Sequence, residues 1–156
     1  EPGEGDLDIP VDGEPQGRER RKYVRMITDE PLSTDSERAK LGRDLVVQTL
    51  PANHPIMRGF PAGWKDPQDE LYEIEKVWPA VVPLAKSFSE TTKKDQTVVW
   101  TNTYGKGRSF VTTLGHFDAT MKSDAYLDLV ARGLLWSIGK LKDDGAPQPG
   151  YGAGGK

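Results

Sequence analysis

His54 and His116 are the only histidines in the chain, and with no cysteine present they are where acid–base chemistry near neutral pH must begin. His54 precedes Pro55 on a loop that follows a strand-like run, a setting in which a rigid scaffold displays functional groups. His116 follows Leu114-Gly115 at the end of another such run, where the glycine lets the backbone turn sharply or a ligand come close. Open sheets take ligands beyond the carboxyl ends of their strands, and both imidazoles meet that positional condition. Asp69 and Glu70 supply nearby carboxylates, and an acid beside an imidazole fixes its tautomer or builds a general base. Being adjacent, the two acids cannot share one helical face, so at most one of them points into a pocket. Trp100, Tyr104 and Arg108 surround a turn, and aromatic faces with a guanidinium suit a sugar or a carboxylate. The ordinary alternatives are loop-orienting hydrogen bonds for the histidines, cap or surface roles for the acids, and cross-strand packing for the aromatics.

Other chemistries are excluded or unsupported. The absence of cysteine removes disulfides, thiolate zinc sites and a thiol nucleophile. There is no G-x-S-x-G elbow, and Gly105-Lys106-Gly107 lacks the spacing of a phosphate loop. Two histidines far apart in sequence give no metal-ligand spacing. With 21 basic and 24 acidic residues and a net charge of −3, the chain has no field to draw in a phosphate backbone, so no nucleic-acid partner is expected. No apolar run is long enough for a membrane span, and no leader pattern opens the chain. Bacterial cytoplasm and periplasm both remain open.

The 156 residues correspond to one domain, and 17 Gly with 12 Pro, about a fifth of the chain, predict many turns or tails. Residues 1–30 read as an extended arm, first acidic (Glu1, Glu4, Asp6, Asp8, Asp12, Glu14), then basic around Tyr23 (Arg18, Arg20, Arg21, Lys22, Arg25). Residues 31–44 read as a short helix and linker, with a capping box at Thr34 and Glu37 and a stop at Gly42. A strand is expected at 45–50, then a turn-rich loop to Trp64. Asp66-Pro67 suggests one helical turn, followed by a strand over 72–77. Residues 80–85 suggest a buried strand that Pro83 confines to an edge or a strand end, and 87–96 a polar loop. Residues 97–103 and 108–114 form a hairpin about Tyr104-Gly-Lys-Gly107. Ser123 caps a helix ending at Gly139, with Leu127, Val130, Ala131, Leu134, Leu135 and Ile138 on its inner face. Residues 143–156 complete the chain as a flexible Gly/Pro tail.

Taken together, Asn53-His-Pro-Ile56 with Gly59-Phe-Pro61, Asp69-Glu-Leu-Tyr72, Val99-Trp100, Tyr104-Gly-Lys-Gly-Arg108, Leu114-Gly-His116 and Gly133-Leu-Leu-Trp136 resemble the ThuA-like, trehalose-utilisation family. The resemblance implies an α/β, flavodoxin-like three-layer sandwich of the class I glutamine amidotransferase type, with a mainly parallel sheet. Residues 45–142 match its C-terminal portion, with a hairpin and a closing helix. It also implies a role in disaccharide or keto-sugar metabolism and places His116 near where an amidotransferase has its catalytic histidine. His116, His54 and Glu70 are thus the expected catalytic residues. Asp69, Tyr72, Trp100, Tyr104, Arg108 and Gly115 are the expected substrate-binding residues, and no cofactor or reaction type is indicated.

An N-terminal half of alternating strands and helices is not recognisable in residues 1–44, and the chain starts at Glu1 rather than Met, as expected of a piece or a processed product. Several hundred Å² of uncovered apolar sheet would cost about 10 kcal/mol at ~25 cal/mol per Å², comparable to a domain's whole stability. A partner chain, self-association or an N-terminal half elsewhere is therefore expected. The functional alternatives are an enzyme acting on a carbohydrate, a non-catalytic carbohydrate-binding or scaffold subunit, and a docking role for the arm. Sedimentation should show association; a cooperatively folded monomer would count against it.

Overall fold

The computed structural model describes residues 26–27, 42–50 and 53–152. The arm expected at 1–30, apart from two residues, and the helix expected at 34–41 lie outside them. Among the described residues the strands are β1 (Met26–Ile27), β2 (Arg43–Thr49), β3 (Gly63–Asp69), β4 (Glu73–Ile74), β5 (Val82–Ser89), β6 (Lys94–Tyr104) and β7 (Gly107–Thr112). A 3₁₀ turn (Pro55–Met57) follows β2, and two helices, α1 (Asp118–Met121) and α2 (Asp124–Ser137), follow β7.

Five strands form one sheet in the order β3-β2-β5-β6-β7, and β1 pairs with β4 in a separate ribbon. Every pairing among the described strands is antiparallel. This differs from the mainly parallel sheet that the resemblance implies. Parallel neighbours need crossover connections of a dozen or more residues, usually helical. Here β5 joins β6 and β6 joins β7 by tight turns, and no long helix precedes Asp124 among the described residues.

Local chemistry explains each strand. In β2, Leu45 and Val47 turn into the core while Val46 faces out. β5 carries Pro83 in its second position, beyond the last residue paired with β2, so the missing amide leaves no gap between those strands. β5 runs on to Ser89 and β6 starts at Lys94, replacing most of the loop expected at 87–96. The two-residue turn Gly105-Lys106 closes the hairpin, with Gly105 at φ +56°. The helical turn expected from Asp66 is instead the end of β3. Asp66 pairs with Leu45 and Asp69 with Arg43, so Pro67 and Gln68 bulge opposite Asp44. Asp44 Oδ1 accepts from the Gln68 amide at 3.3 Å, and Gln68 sits at φ +50°. Only Glu73–Ile74 of the strand expected at 72–77 pairs.

Leu84, Ala85, Val98 and Val99 of the central strands make the core with Ile56, Met57, Trp64, Leu114, Leu129 and Leu141. α2 is capped by the Ser123 side chain, which accepts from the Tyr126 amide, and Gly139 follows its end at φ +71°. Its inner face differs from the expected one. Leu129 and Gly133 are buried, with Ala125, Tyr126, Leu135 and Trp136 packed against the core, whereas Leu127, Leu134 and Ile138 are 52%, 61% and 55% exposed. Hydropathy favours the leucine stripe, but the Phe110 ring lies so close to Gly133 that any side chain there would collide with it, and this contact fixes the helix's rotation. Residues 143–152 also depart from an open tail: Lys142 donates to the Ala146 carbonyl at 2.9 Å, Leu141 bridges to Pro147, and Gly145 is buried beside Arg58. Gly133→Ala should cost about 1–3 kcal/mol through overpacking. Thermal unfolding will read the loss, and Phe110→Leu in the same chain should recover part of it.

Candidate functional site

The β3 bulge has a direct chemical consequence. Residues three apart on a regular strand face opposite sides, but Asp66 and Asp69, flanking the bulge, are both fully buried. Asp69 Oδ2 accepts from the Gly115 amide at 2.7 Å, and Oδ1 accepts from the His116 and Glu70 amides, both at 2.9 Å. One carboxylate therefore holds the chain leaving β7 against the end of β3, although these strands are the two outer members of the sheet. Gly115 is required here twice over: its φ is +105°, and a Cβ would strike the Tyr126 phenol.

Above this staple, His116 Nδ1 lies 2.6 Å from the Tyr72 hydroxyl and 3.5 Å from Glu70 Oε2. The imidazole also packs edge-on against Phe117, with centroids 4.6 Å apart. Burial, and then the charge of Glu70, push the Tyr72 phenol above its ordinary pKa, so it is protonated at neutral pH. Tyr72, His116, Gly115, Thr112, Thr113 and Trp100 line an open cleft of about 440 Å³. Tyr72 and Glu70 thus act on the imidazole itself, and Asp69 acts on its backbone.

His54, Arg108 and Tyr104, expected beside His116, lie instead at the other end of the sheet. β7 begins at Gly107, beside Arg108 and the Tyr104 turn, and ends at Thr112, from which the chain runs to His116. His54 caps the 3₁₀ turn, its Nδ1 accepting from the Ile56 amide at 3.4 Å, and its ring leans on Trp136 at 5.0 Å. Arg108 lies over the opposite partner of that contact, 5.3 Å from the Trp136 ring, and donates to the Trp136 carbonyl. Burial and then Arg108 lower the His54 pKa, which keeps this imidazole neutral. Tyr104 is 78% exposed.

Asp66, Thr120 and Tyr126 belong to the base of the site but were not singled out from sequence. The Asp66-x-x-Asp69 spacing across Pro67-Gln68 was the available signal; it reads as a helix start unless the bulge is recognised. Among the described residues neither carboxyl oxygen of Asp66 has a hydrogen-bond partner. Burial, then the Asp69 carboxylate beside it, lift Asp66 to about 8, and the same two acids, after burial, raise Tyr126. Thr120 ties α1 to the bulge by donating to the Pro67 carbonyl at 2.7 Å. Among the described residues no group of three or more His, Asp or Glu is arranged to hold a metal ion, and no helix is long and apolar enough to cross a membrane.

These features define a strand-rich α/β domain with two helices and a histidine-lined cleft at one end of a curled antiparallel sheet. The family model of ThuA, described as trehalose utilisation, matches residues 17–137, and the chain belongs to that family. Membership connects it with carbohydrate metabolism. A crystal structure of a ThuA-like protein from Parabacteroides merdae is similar to it, with a TM-score of 0.59 and 26% sequence identity over 69% of this chain. The chain spans 43% of the length of that protein. No curated protein matches it.

Asp66 gives the site a definite pH response. Its folded-state pKa of about 8 lies above the ordinary aspartate value of 3.8, so between those two values the folded state holds a proton that the unfolded state has released. Stability from this group is full below about pH 4 and declines as pH rises towards about 8. Thermal unfolding followed across that window should show the decline, and Asp66→Asn, which cannot ionise, should flatten it.

Proposed function

We propose that the chain acts on a carbohydrate in the cleft beside His116, with His116 as general acid or base. The observation that carries this reading is the Tyr72–His116 contact of 2.6 Å at the rim of an open cleft, with Glu70 Oε2 3.5 Å from the same imidazole nitrogen. In the proposed proton arrangement the Tyr72 hydroxyl donates to Glu70 and His116 Nδ1–H donates to the Tyr72 oxygen. Nε2 is then free to accept a proton from a sugar hydroxyl, and the imidazolium so formed faces the Glu70 carboxylate. Asp69 and Gly115 are positioning residues that hold the imidazole at the rim, and Trp100 offers an aromatic wall to a sugar face. His54, Arg108 and Tyr104 are left out of this machinery because their contacts lie at the far end of the sheet.

The complete domain in this reading is the flavodoxin-like, amidotransferase-type sandwich that the resemblance implies, with the described antiparallel sheet as its C-terminal portion. The 43% coverage of the Parabacteroides merdae protein supports it, as does the exposed stripe of Leu127, Leu134 and Ile138 on α2, which a further layer or a partner chain would cover. His116→Ala in the complete protein should lower turnover of a disaccharide or oxidised sugar by about 10²- to 10⁴-fold, the usual contribution of a positioned acid or base. Unchanged turnover would remove His116 from the chemistry. Calorimetric binding of sugar to the unmodified protein without any turnover would support the non-catalytic binding subunit instead.

A further inference from the structure

Trp100 is a wall of two cavities. One is the histidine cleft; the other is a smaller pocket of about 50 Å³ bounded by Ile74, Val77, Trp78, Val81 and Trp100. Its lining is predominantly apolar: Thr97, Lys76 and the indole N–H groups of Trp78 and Trp100 are its polar side-chain groups, and the Lys76 ammonium lies 4.0 Å from the centroid of the Trp78 ring. We infer that this pocket is a subsite for a short apolar group on the carbohydrate bound beside His116, so that the ligand is a simple alkyl glycoside or a similarly alkylated sugar. The inference rests on the carbohydrate reading of the cleft and adds to it a ligand class.

Three observations carry it. Trp100 lines both cavities, so the pocket lies next to the cleft and a group reaching past the indole from a ligand beside His116 would meet it. The volume suits a group of a few carbon atoms, since one water needs roughly 10–15 Å³ on the same measure. Chemistry then decides between an alkyl group and a second sugar. A sugar ring would bring several hydroxyls against a lining with few polar side-chain groups, at a desolvation cost that these offset only in part. It would also have to displace Lys76 from the Trp78 face before stacking on it. An alkyl group has no such requirement, and it fills space in which water finds few partners.

The test uses the full chain and two probes. Xenon, which enters dry apolar cavities, should shift the indole N–H resonances of Trp78 and Trp100 and leave those of Trp64 and Trp136 in place. Methyl, ethyl and propyl glucosides titrated by calorimetry should bind with affinity rising roughly fourfold for each methylene buried. Val77→Phe, at a position already 43% exposed, should fill the pocket and remove both the xenon shift and the chain-length gain. Val81→Phe provides a second blocked form should the first fail to fold. Glucosides that bind with no dependence on chain length, or a xenon response absent at Trp78 and Trp100, would overturn the inference and leave the carbohydrate reading standing. Failure of every glucoside to bind the unmodified protein would also overturn the inference, while the carbohydrate reading stands or falls separately on the His116→Ala turnover measurement.

Discussion

The buried carboxylate of Asp69 is the contact on which the rest of the site depends. It accepts three backbone amides, from Glu70, Gly115 and His116, without exposure to solvent. A buried carboxyl group needs hydrogen bonds to its oxygens, and both of these accept them. The two outer strands of the five-stranded sheet are thereby held at one end, and the sheet curls. Without the curl, Tyr72 from the β3 side and His116 from the β7 side would stand at opposite margins of the layer. With it, they are in hydrogen-bond contact.

Asp66 gives the same region a different character. A second carboxyl next to a satisfied one, with no hydrogen-bond partner of its own among the described residues, is most stable as the neutral acid. A neutral Asp66 relieves the repulsion that two adjacent carboxylates would otherwise impose on each other at the base of the site. At the opposite end of the sheet, His54, Trp136 and Arg108 form a contact of another kind. There an imidazole is used for capping and packing, and its neutrality follows from burial and a neighbouring guanidinium.

Much of this was legible in the sequence, and the failures have physical causes. The strand at 45–50, the Gly105-Lys106 hairpin and the Ser123-capped helix follow from β-branched runs, turn glycines and capping chemistry, all of which act locally. The ThuA resemblance was legible from motif order, and the family match bears it out. The pairing of His116 with Glu70 and Tyr72 was legible only as a list of candidates. Their convergence depends on the curl of the sheet, which in turn depends on a bulge at Pro67-Gln68 that reads locally as a helix start. His54 was grouped with His116 because both follow strands, but in an antiparallel sheet strand ends alternate between two sides, so the rule for open parallel sheets does not bring them together. The rotation of α2 departs from the leucine stripe because hydropathy counts leucines, whereas close packing at Gly133 and Phe110 decides which side approaches the sheet.

The bulge that orients the two aspartates also bears on how the sheet can grow. Pro67 has no amide to donate, and the left-handed backbone of Gln68 breaks the repeat of donors and acceptors that an incoming strand would read. The outer margin of β3 is therefore a poor template, both for aggregation and for extension of the layer. Among the described residues β7, whose six residues contain no proline, is the margin better suited to receive a neighbour, which makes the layer directional, favouring addition on the hairpin side over the aspartate side.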